Sequence, residues 1–533
     1  MTKKLIHKIK ILSIDRIFLF FISYLLLYTI FYKKTILLFL FFPLYNMPCE
    51  VIILNKNYDL IIVGAGPSGV FTAYELIELG VAKDKKILLV EQGKSVDKRY
   101  CPVEKSGKCV KCKPFCNITS GFSGAGAFSD GKLTLPNKDS DSIEVGGILD
   151  KYLGVEKTKD LMFYTDEIYL KFGADPHVEG LDNLDKIQEI ADRATKNNII
   201  LANCPIRHLG TEKSHELYKK IQDYLLANNI EIMFETNVVD LIVENNKVSG
   251  VKIQPSNSTD PSTICELNSD TVVLGIGRKG AHWLSAMCSK HAIKNRAGVV
   301  DVGVRYELPD SVMKDVNEYL YEGKFVGYLP PYKDKVRTFC QNPSGFVANE
   351  VYDNDLTLVN GHSYKNKKST NTNLAILASH HFNDPFEEPI KYGVNIGENA
   401  NQLGMGNVLV QRLGDILNGK RTWDKELQTN SVVPTLKTAV AGDITYAIGY
   451  RTMVDILEFI KTMDKVVPGF AHPDNLLYAA EIKFYSNEIV IDNNFETSIK
   501  GLYSIGDGGG LTRGLIMASA SGVEMARILN GKL

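Results

Sequence analysis

Gly64, Gly66 and Gly69 stand in the run Gly64-Ala65-Gly66-Pro67-Ser68-Gly69, a G-x-G-x-x-G spacing directly after the apolar stretch Leu60 to Val63. Glycines so placed permit a tight turn, let backbone approach a pyrophosphate, and let a helix lie close on a strand. Free N–H groups at that helix start would face the phosphates. A second set is Glu91 with Gln92, just after the run Lys86 to Val90. An acidic residue a little over twenty positions past the glycines is placed to accept hydrogen bonds from an adenosine ribose. A third set lies near the other end, where Gly501 to Asp507 reads GLYSIGD and three glycines follow. There Asp507, after Gly506, would accept hydrogen bonds from a ribityl hydroxyl.

Other residues carry chemistry with less context. Cys101, Cys109, Cys112 and Cys116 follow C-x7-C-x2-C-x3-C. Thiolates in this order could ligate zinc or an iron–sulfur cluster, cycle as dithiol and disulfide, or sit as reduced thiols in a loop. The glycine-rich stretch Gly121 to Leu133 suits a loop lying on a flat ligand, with Ser129, Asp130 and Lys132 as its polar groups. Lys132, Arg278 and Cys340 are candidates for the reacting side, but no pattern assigns a catalytic residue.

These residues need elements to position them. Tyr58 to Gly69 predicts a buried strand, a turn and a helix that continues through Leu79, and Lys86 to Val90 predicts a second strand. From Glu156 to Ala202 the apolar spacing is helical. Asn237 to Val243 and Val248 to Ile253 form two strands joined by a turn containing Asn-Asn, and Thr271 to Leu274 returns the chain to the nucleotide sheet. Asn373 to Ser379 is strand-like and Gln411 to Leu417 helix-like. The final helix runs from about Gly514 to Leu529, with small residues on one face.

The expected class is α/β, a Rossmann-like FAD-binding domain with a second, mixed or antiparallel α+β substrate domain. The boundaries expected are 47–295 for the first part of the FAD domain, with a helical insertion at about 156–202. Residues 296–480 form the substrate or cap domain, and 481–533 complete the FAD domain.

The full chain has 533 residues and a formal net charge of -1. Nothing is basic enough to suggest a nucleic-acid partner. The nine cysteines do not resemble a secreted disulfide framework. Residues 1–46 differ from the rest, with apolar runs at Ile17 to Tyr32 and Thr35 to Tyr45 broken by Lys33 and Lys34. The first run would be about 24 Å long as a helix, slightly short for a bilayer core. Two readings follow: a membrane anchor through residues 17–45, or upstream residues of a protein that begins at Met47. The second makes the protein cytoplasmic.

The glycine turn, Glu91 and the Gly506-Asp507 element together favour FAD over NAD. The C-terminal element resembles the flavin motif of two-dinucleotide-fold flavoproteins of the glutathione-reductase type, and Val238 matches the position that contacts adenine there through main chain. More narrowly, the stretch from Tyr58 onward resembles uncharacterised FAD-dependent dehydrogenases related to geranylgeranyl reductases. That resemblance rests on GAGPSG at 64–69, the cysteine cluster, GAGAFSDGKL at 124–133, RTFC at 337–340 and GLYSIGDGGGLTRG at 501–514. It departs at Gly275-Ile276-Gly277, where many relatives would have Ala-Thr-Gly. It departs again at Asn342, where another cysteine would stand, which weakens a dithiol mechanism at Cys340. The resemblance implies an FAD-dependent oxidoreductase, a dehydrogenase or reductase. The expected substrate is a small apolar or conjugated molecule, reduced or oxidised with NAD(P)H or a redox protein as electron donor. The other reading is a flavin/iron–sulfur electron-transfer protein. Only one dinucleotide fingerprint is present, so a donor would reach the flavin without a Rossmann domain of its own.

Overall fold

The chain enters the fold as β1 (Leu60–Val63), reverses at Gly64 with φ of +100°, and continues as α1 (Pro67–Glu78). Pro67 suits the first helical position because the N–H it lacks would have no intrahelical acceptor there. Then come β2 (Ile87–Val90), α2 (Val155–Lys171), α3 (Leu184–Thr195), β3 (Ile199–Ala202), α4 (Thr211–Ala227) and β4 (Ile230–Met233). An antiparallel unit follows: β5 (Thr236–Glu244), β6 (Lys247–Pro255) and β7 (Cys265–Asn268). Its first turn is Asn245-Asn246, with φ of 50° and 60°, the left-handed pair a two-residue hairpin requires. After β8 (Val272–Leu274) the chain builds a second region from β9 (Val299–Pro309), β10 (Lys324–Tyr328), β11 (Lys335–Asn342), β12 (Asn371–His381), β13 (Leu409–Arg412) and β14 (Val440–Ala441). It ends with α5 (Tyr450–Val466), β15 (Leu476–Phe484), β16 (Leu502–Ser504) and α6 (Leu515–Asn530).

This computed structural model describes residues 56–102, 112–128, 131–137, 142–143, 146–202, 204–320, 322–351, 356–364, 367–382 and 384–533. The expectations for residues 1–46, Cys109, Ser129 and Asp130 lie outside them. Among the described residues no helix is long and apolar enough to cross a membrane.

Two sheets organise the molecule, and the expected α/β class is what the chain adopts. The first is parallel, in the order β16-β8-β1-β2-β4, with Val63 opposite both Val90 and Leu274. Its central strands are apolar and buried on both faces, as helix-covered parallel strands must be. Across one face lie α1 and α6, drawn together by missing side chains. A Cβ on Gly522 of α6 would come within 2.2 Å of the Ser68 carbonyl oxygen. The second sheet has eight strands in the order β14-β13-β15-β9-β12-β11-β10-β3, antiparallel except for β13 with β14.

Strand β9 shows how the second sheet is sided. Val300, Val302, Val304, Tyr306 and Leu308 enter an apolar cluster with Ile456, Phe459 and Met463 of α5. The alternate residues Asp301, Arg305 and Glu307 are also buried, on the opposite face. That face carries the polar chemistry.

Two local expectations change. The helical stretch stops before Ile199, because Asn198 takes a left-handed φ of 59° and the branched run Ile199-Ile200-Leu201 pairs with β10. Gln411 and Arg412 end strand β13, and helix begins only at Leu413.

Candidate functional site

The glycine turn is built by contact. A Cβ at Gly69 would lie 2.0 Å from the Gly64 carbonyl oxygen, so helix and turn can touch only with glycine there. Gly64 itself lies against Gly275. Ser68 donates to the Gly275 carbonyl at 3.2 Å, which ties α1 to the exit of β8. Gly66 is the residue before α1 and has no side chain to cap the helix start. A helix N-terminus that opens on a glycine leaves its first N–H groups to a ligand such as a diphosphate.

Glu91 leaves β2 almost fully buried and binds main chain. Its Oε2 accepts from Ala65 N at 2.9 Å, and its Oε1 accepts from Gly93 N at 2.8 Å and Gly121 N at 2.9 Å. One carboxylate therefore pins the glycine turn, its own loop and the glycine-rich segment together. A carboxylate has about four acceptor positions, which leaves one for a ribose hydroxyl. Gln92 donates to Ser120 Oγ at 3.3 Å. Val238 is buried in β5, close by, since Thr236 N donates to the Glu91 carbonyl at 3.0 Å.

Arg99 was not among the residues the sequence singled out, and it fixes the segment over the turn. Its guanidinium donates to the carbonyls of Asn117 and Ile118 at 2.8 Å, Gly124 at 2.7 Å, and Phe122. Burial lowers its pKa to about 10. Ser123, with φ of 69°, donates its N–H to the Ala65 carbonyl at 2.7 Å, so this segment rests on the glycine turn. No sequence pattern announces Arg99, because its acceptors are carbonyls.

At the other end, Gly506 lies against α1: a Cβ there would be 2.6 Å from Ser68 Oγ. Asp507 follows, accepting from Thr512 Oγ1 at 2.8 Å, with Arg278 Nε at 3.9 Å from its Oδ2. Burial raises the Asp507 pKa, and Arg278 opposes the shift. The Gly64–Gly69 turn, Glu91 and Gly506-Asp507 are thus gathered at one end of the parallel sheet. Lys132, half-buried, begins a short strand that pairs with Ile206–His208 and lies within electrostatic reach of Glu322.

From Asp507 the wall continues into the second sheet. Arg513 N donates to the Gly146 carbonyl at 2.7 Å, and its guanidinium lies 3.8 Å above the ring of Tyr485. Tyr485 Oη donates to Asp301 Oδ2 at 2.9 Å, and Arg337 Nη2 reaches the same oxygen at 2.7 Å. Burial works to raise the Asp301 pKa, but Arg337, Ser379 and Tyr485 prevail and hold it below the usual carboxylate range. Deeper on this face Arg305 and Glu481 form a two-point ion pair at 2.6 and 2.7 Å, both side chains fully buried. Arg305 also donates to the Cys340 carbonyl at 2.8 Å, while Cys340 N donates to Glu322 at 2.6 Å. Cys340 takes a left-handed φ of 49° where β11 slips register against β12. The signal for Asp301 and Arg305 was in the sequence: β9 alternates apolar and polar at a period of two.

Cys101, Cys112 and Cys116 are free thiols. Among the described residues no group of three or more His, Cys, Asp or Glu could hold a metal ion.

Residues 301–483 match the family model for an FAD-dependent protein, C-terminal domain-like. A Clostridium beijerinckii protein described as uncharacterized is 24% identical over 487 residues, which is 87% of this chain and 79% of that protein. The E. coli quinol fumarate reductase FrdA covers 90% of this chain and 71% of its own at 13% identity, with a TM-score of 0.41. L-Proline dehydrogenase from P. horikoshii covers 90% and 95% at 10% identity, with a TM-score of 0.39. The match of residues 301–483 to an FAD-dependent family model, together with the glycine turn between β1 and α1, makes FAD the cofactor of this chain.

Proposed function

We propose that this chain is an FAD-dependent oxidoreductase that acts on a small molecule bound between the Asp507 end of the parallel sheet and the polar face of the eight-stranded sheet. The observation that carries this reading is the meeting of Gly64–Gly69, Glu91 and Gly506-Asp507, separated by more than 400 positions in sequence, at one end of one sheet. Bound flavin supplies the electron exchange that side chains cannot. The N–H groups opening α1 receive the diphosphate, and Glu91 takes the adenosine ribose. Val238 backs the adenine through main chain, Gln92 supports the loop beyond Glu91, and Asp507 orients the ribityl chain. Ser129 and Asp130 are proposed to add polar contacts from the glycine-rich segment. Arg513, Tyr485, Arg337 and Phe339 form the wall that the substrate meets.

Phe339, on β11 with its ring 4.8 Å from the Arg337 guanidinium, and Tyr485 give a conjugated or apolar body flat surfaces to lie on, and charged groups surround those surfaces. The electron donor, NAD(P)H or a redox protein, would approach the same face.

The test is direct. Purified protein should carry a flavin visible spectrum, release FAD on denaturation, and bleach anaerobically when given a donor. Colourless protein that does not take up added FAD rejects the reading.

A further inference from the structure

Charge does not balance on the wall that faces the proposed substrate position. Arg337 and Arg513 both meet Tyr485, and Lys335, two positions before Arg337 on the same face of β11, lies within electrostatic reach of both. Asp507, within electrostatic reach of Arg513, is engaged by Thr512 and faces Arg278, and the carboxylate that meets Arg337 is Asp301, which is fully engaged. Its Oδ2 takes Arg337 and Tyr485, its Oδ1 accepts from Ser379 Oγ at 2.7 Å, and its side chain is 1% exposed. Two further acids on this face are also committed. Glu481 is held by Arg305 and by Lys483 at 3.2 Å, and Glu322 by Cys340 N. Arg513 only lies flat on the Tyr485 ring: among the described residues its guanidinium makes no ion pair. Lys335 is half-buried, and among the described residues its ammonium has none either. Burial, and then Arg337, lower the Lys335 pKa.

A half-buried ammonium beside the Arg337 guanidinium, with the exposed Arg513 within electrostatic reach, favours an anion that joins them. We infer that Lys335 and Arg513, framed by Tyr485 and Arg337, receive a single oxyanion group of the substrate, a carboxylate or a phosphate. The inference rests on the oxidoreductase reading above and adds a substrate class to it: a small molecule that carries its negative charge at one end and its reacting bond over the flavin.

The test uses FAD-loaded protein and follows the visible flavin spectrum during titration with acetate, benzoate, inorganic phosphate and sulfate. A saturable perturbation is expected. Its dissociation constant should rise about tenfold or more in Lys335→Met and in Arg513→Gln, as the loss of one charged hydrogen bond predicts, and change little in Lys335→Arg. Tighter binding of acetate and benzoate than of phosphate and sulfate assigns a carboxylate; the reverse order assigns a phosphate. A spectrum unresponsive to all four anions, or unchanged affinity in both charge-removing variants, overturns the inference. Variants that shift the flavin reduction potential but bind the anions normally overturn it too, because the charge then serves the reduced cofactor. Failure to take up FAD rejects the parent reading together with this one, whereas coloured protein blind to anions rejects this one alone.

Discussion

Glu91→Gln separates two roles that one carboxylate performs. In a fold where the residue only touched a ribose, the substitution would weaken FAD and leave the empty protein as stable as before. Here Glu91 accepts three main-chain N–H bonds at 2.8 to 2.9 Å. The amide can keep its oxygen toward Gly93 and Gly121, but its NH2 group then faces Ala65 N, donor against donor. One charged hydrogen bond, about 1.5–3 kcal/mol, is lost outright, and two more fall from charged to neutral strength. The expected cost to the FAD-free protein is therefore about 3 kcal/mol, with a further loss in FAD affinity. Urea denaturation of the FAD-free forms gives the first quantity and FAD titration the second. Unchanged denaturation of the FAD-free variant would refute the reasoning, whatever happened to the cofactor.

Further outcomes follow from other contacts. Arg305→Met should cost about 3 kcal/mol by leaving the buried Glu481 with Lys483 as its remaining charged partner, while adding Glu481→Leu should recover much of that loss in a denaturation experiment. Gly522→Ala places a Cβ 2.2 Å from the Ser68 carbonyl, so it should push α6 off α1 and reduce both thermal stability and FAD content. Asp455 has its pKa raised to about 6 by burial and by Asp334 beside it. The folded state then holds a proton that the unfolded state, near the ordinary value of 3.8, has released. Stability from this group rises as pH falls from about 6 toward about 4, and Asp455→Asn should flatten that part of the stability profile. An unaltered slope would show that another group titrates there.

What the sequence revealed depended on whether local pattern and tertiary contact agreed. The strand-turn-helix at Leu60–Glu78 was legible because an apolar run, a glycine forced to positive φ and a helix start are all local. The Asn245-Asn246 hairpin was legible for the same reason. Ile199–Ala202 was misjudged as helix because its apolar run is too short to show a period, and its pairing partner lies more than 120 positions away at Lys324–Gly327. Arg99 left no trace, since carbonyl acceptors look alike in every residue. Asp301 and Arg305 did leave one, in the alternation along Val299–Pro309, but a period of two does not say which sheet the strand joins or what its polar face meets. Glu91 was identified as a ligand for sugar; its three bonds to main chain depend on loops whose approach no spacing rule describes.

The placement of β3 at the edge of the eight-stranded sheet has a practical consequence. Ile199–Ala202 belongs to that sheet, yet β4 and β8, which follow it in the chain, return to the parallel one. A protease nick between Ala202 and Lys324 would therefore leave both fragments stitched by main-chain pairing on each side of the cut. The protein should tolerate such a break without dissociating, and the two pieces, expressed from separate genes, should complement each other and regain yellow colour.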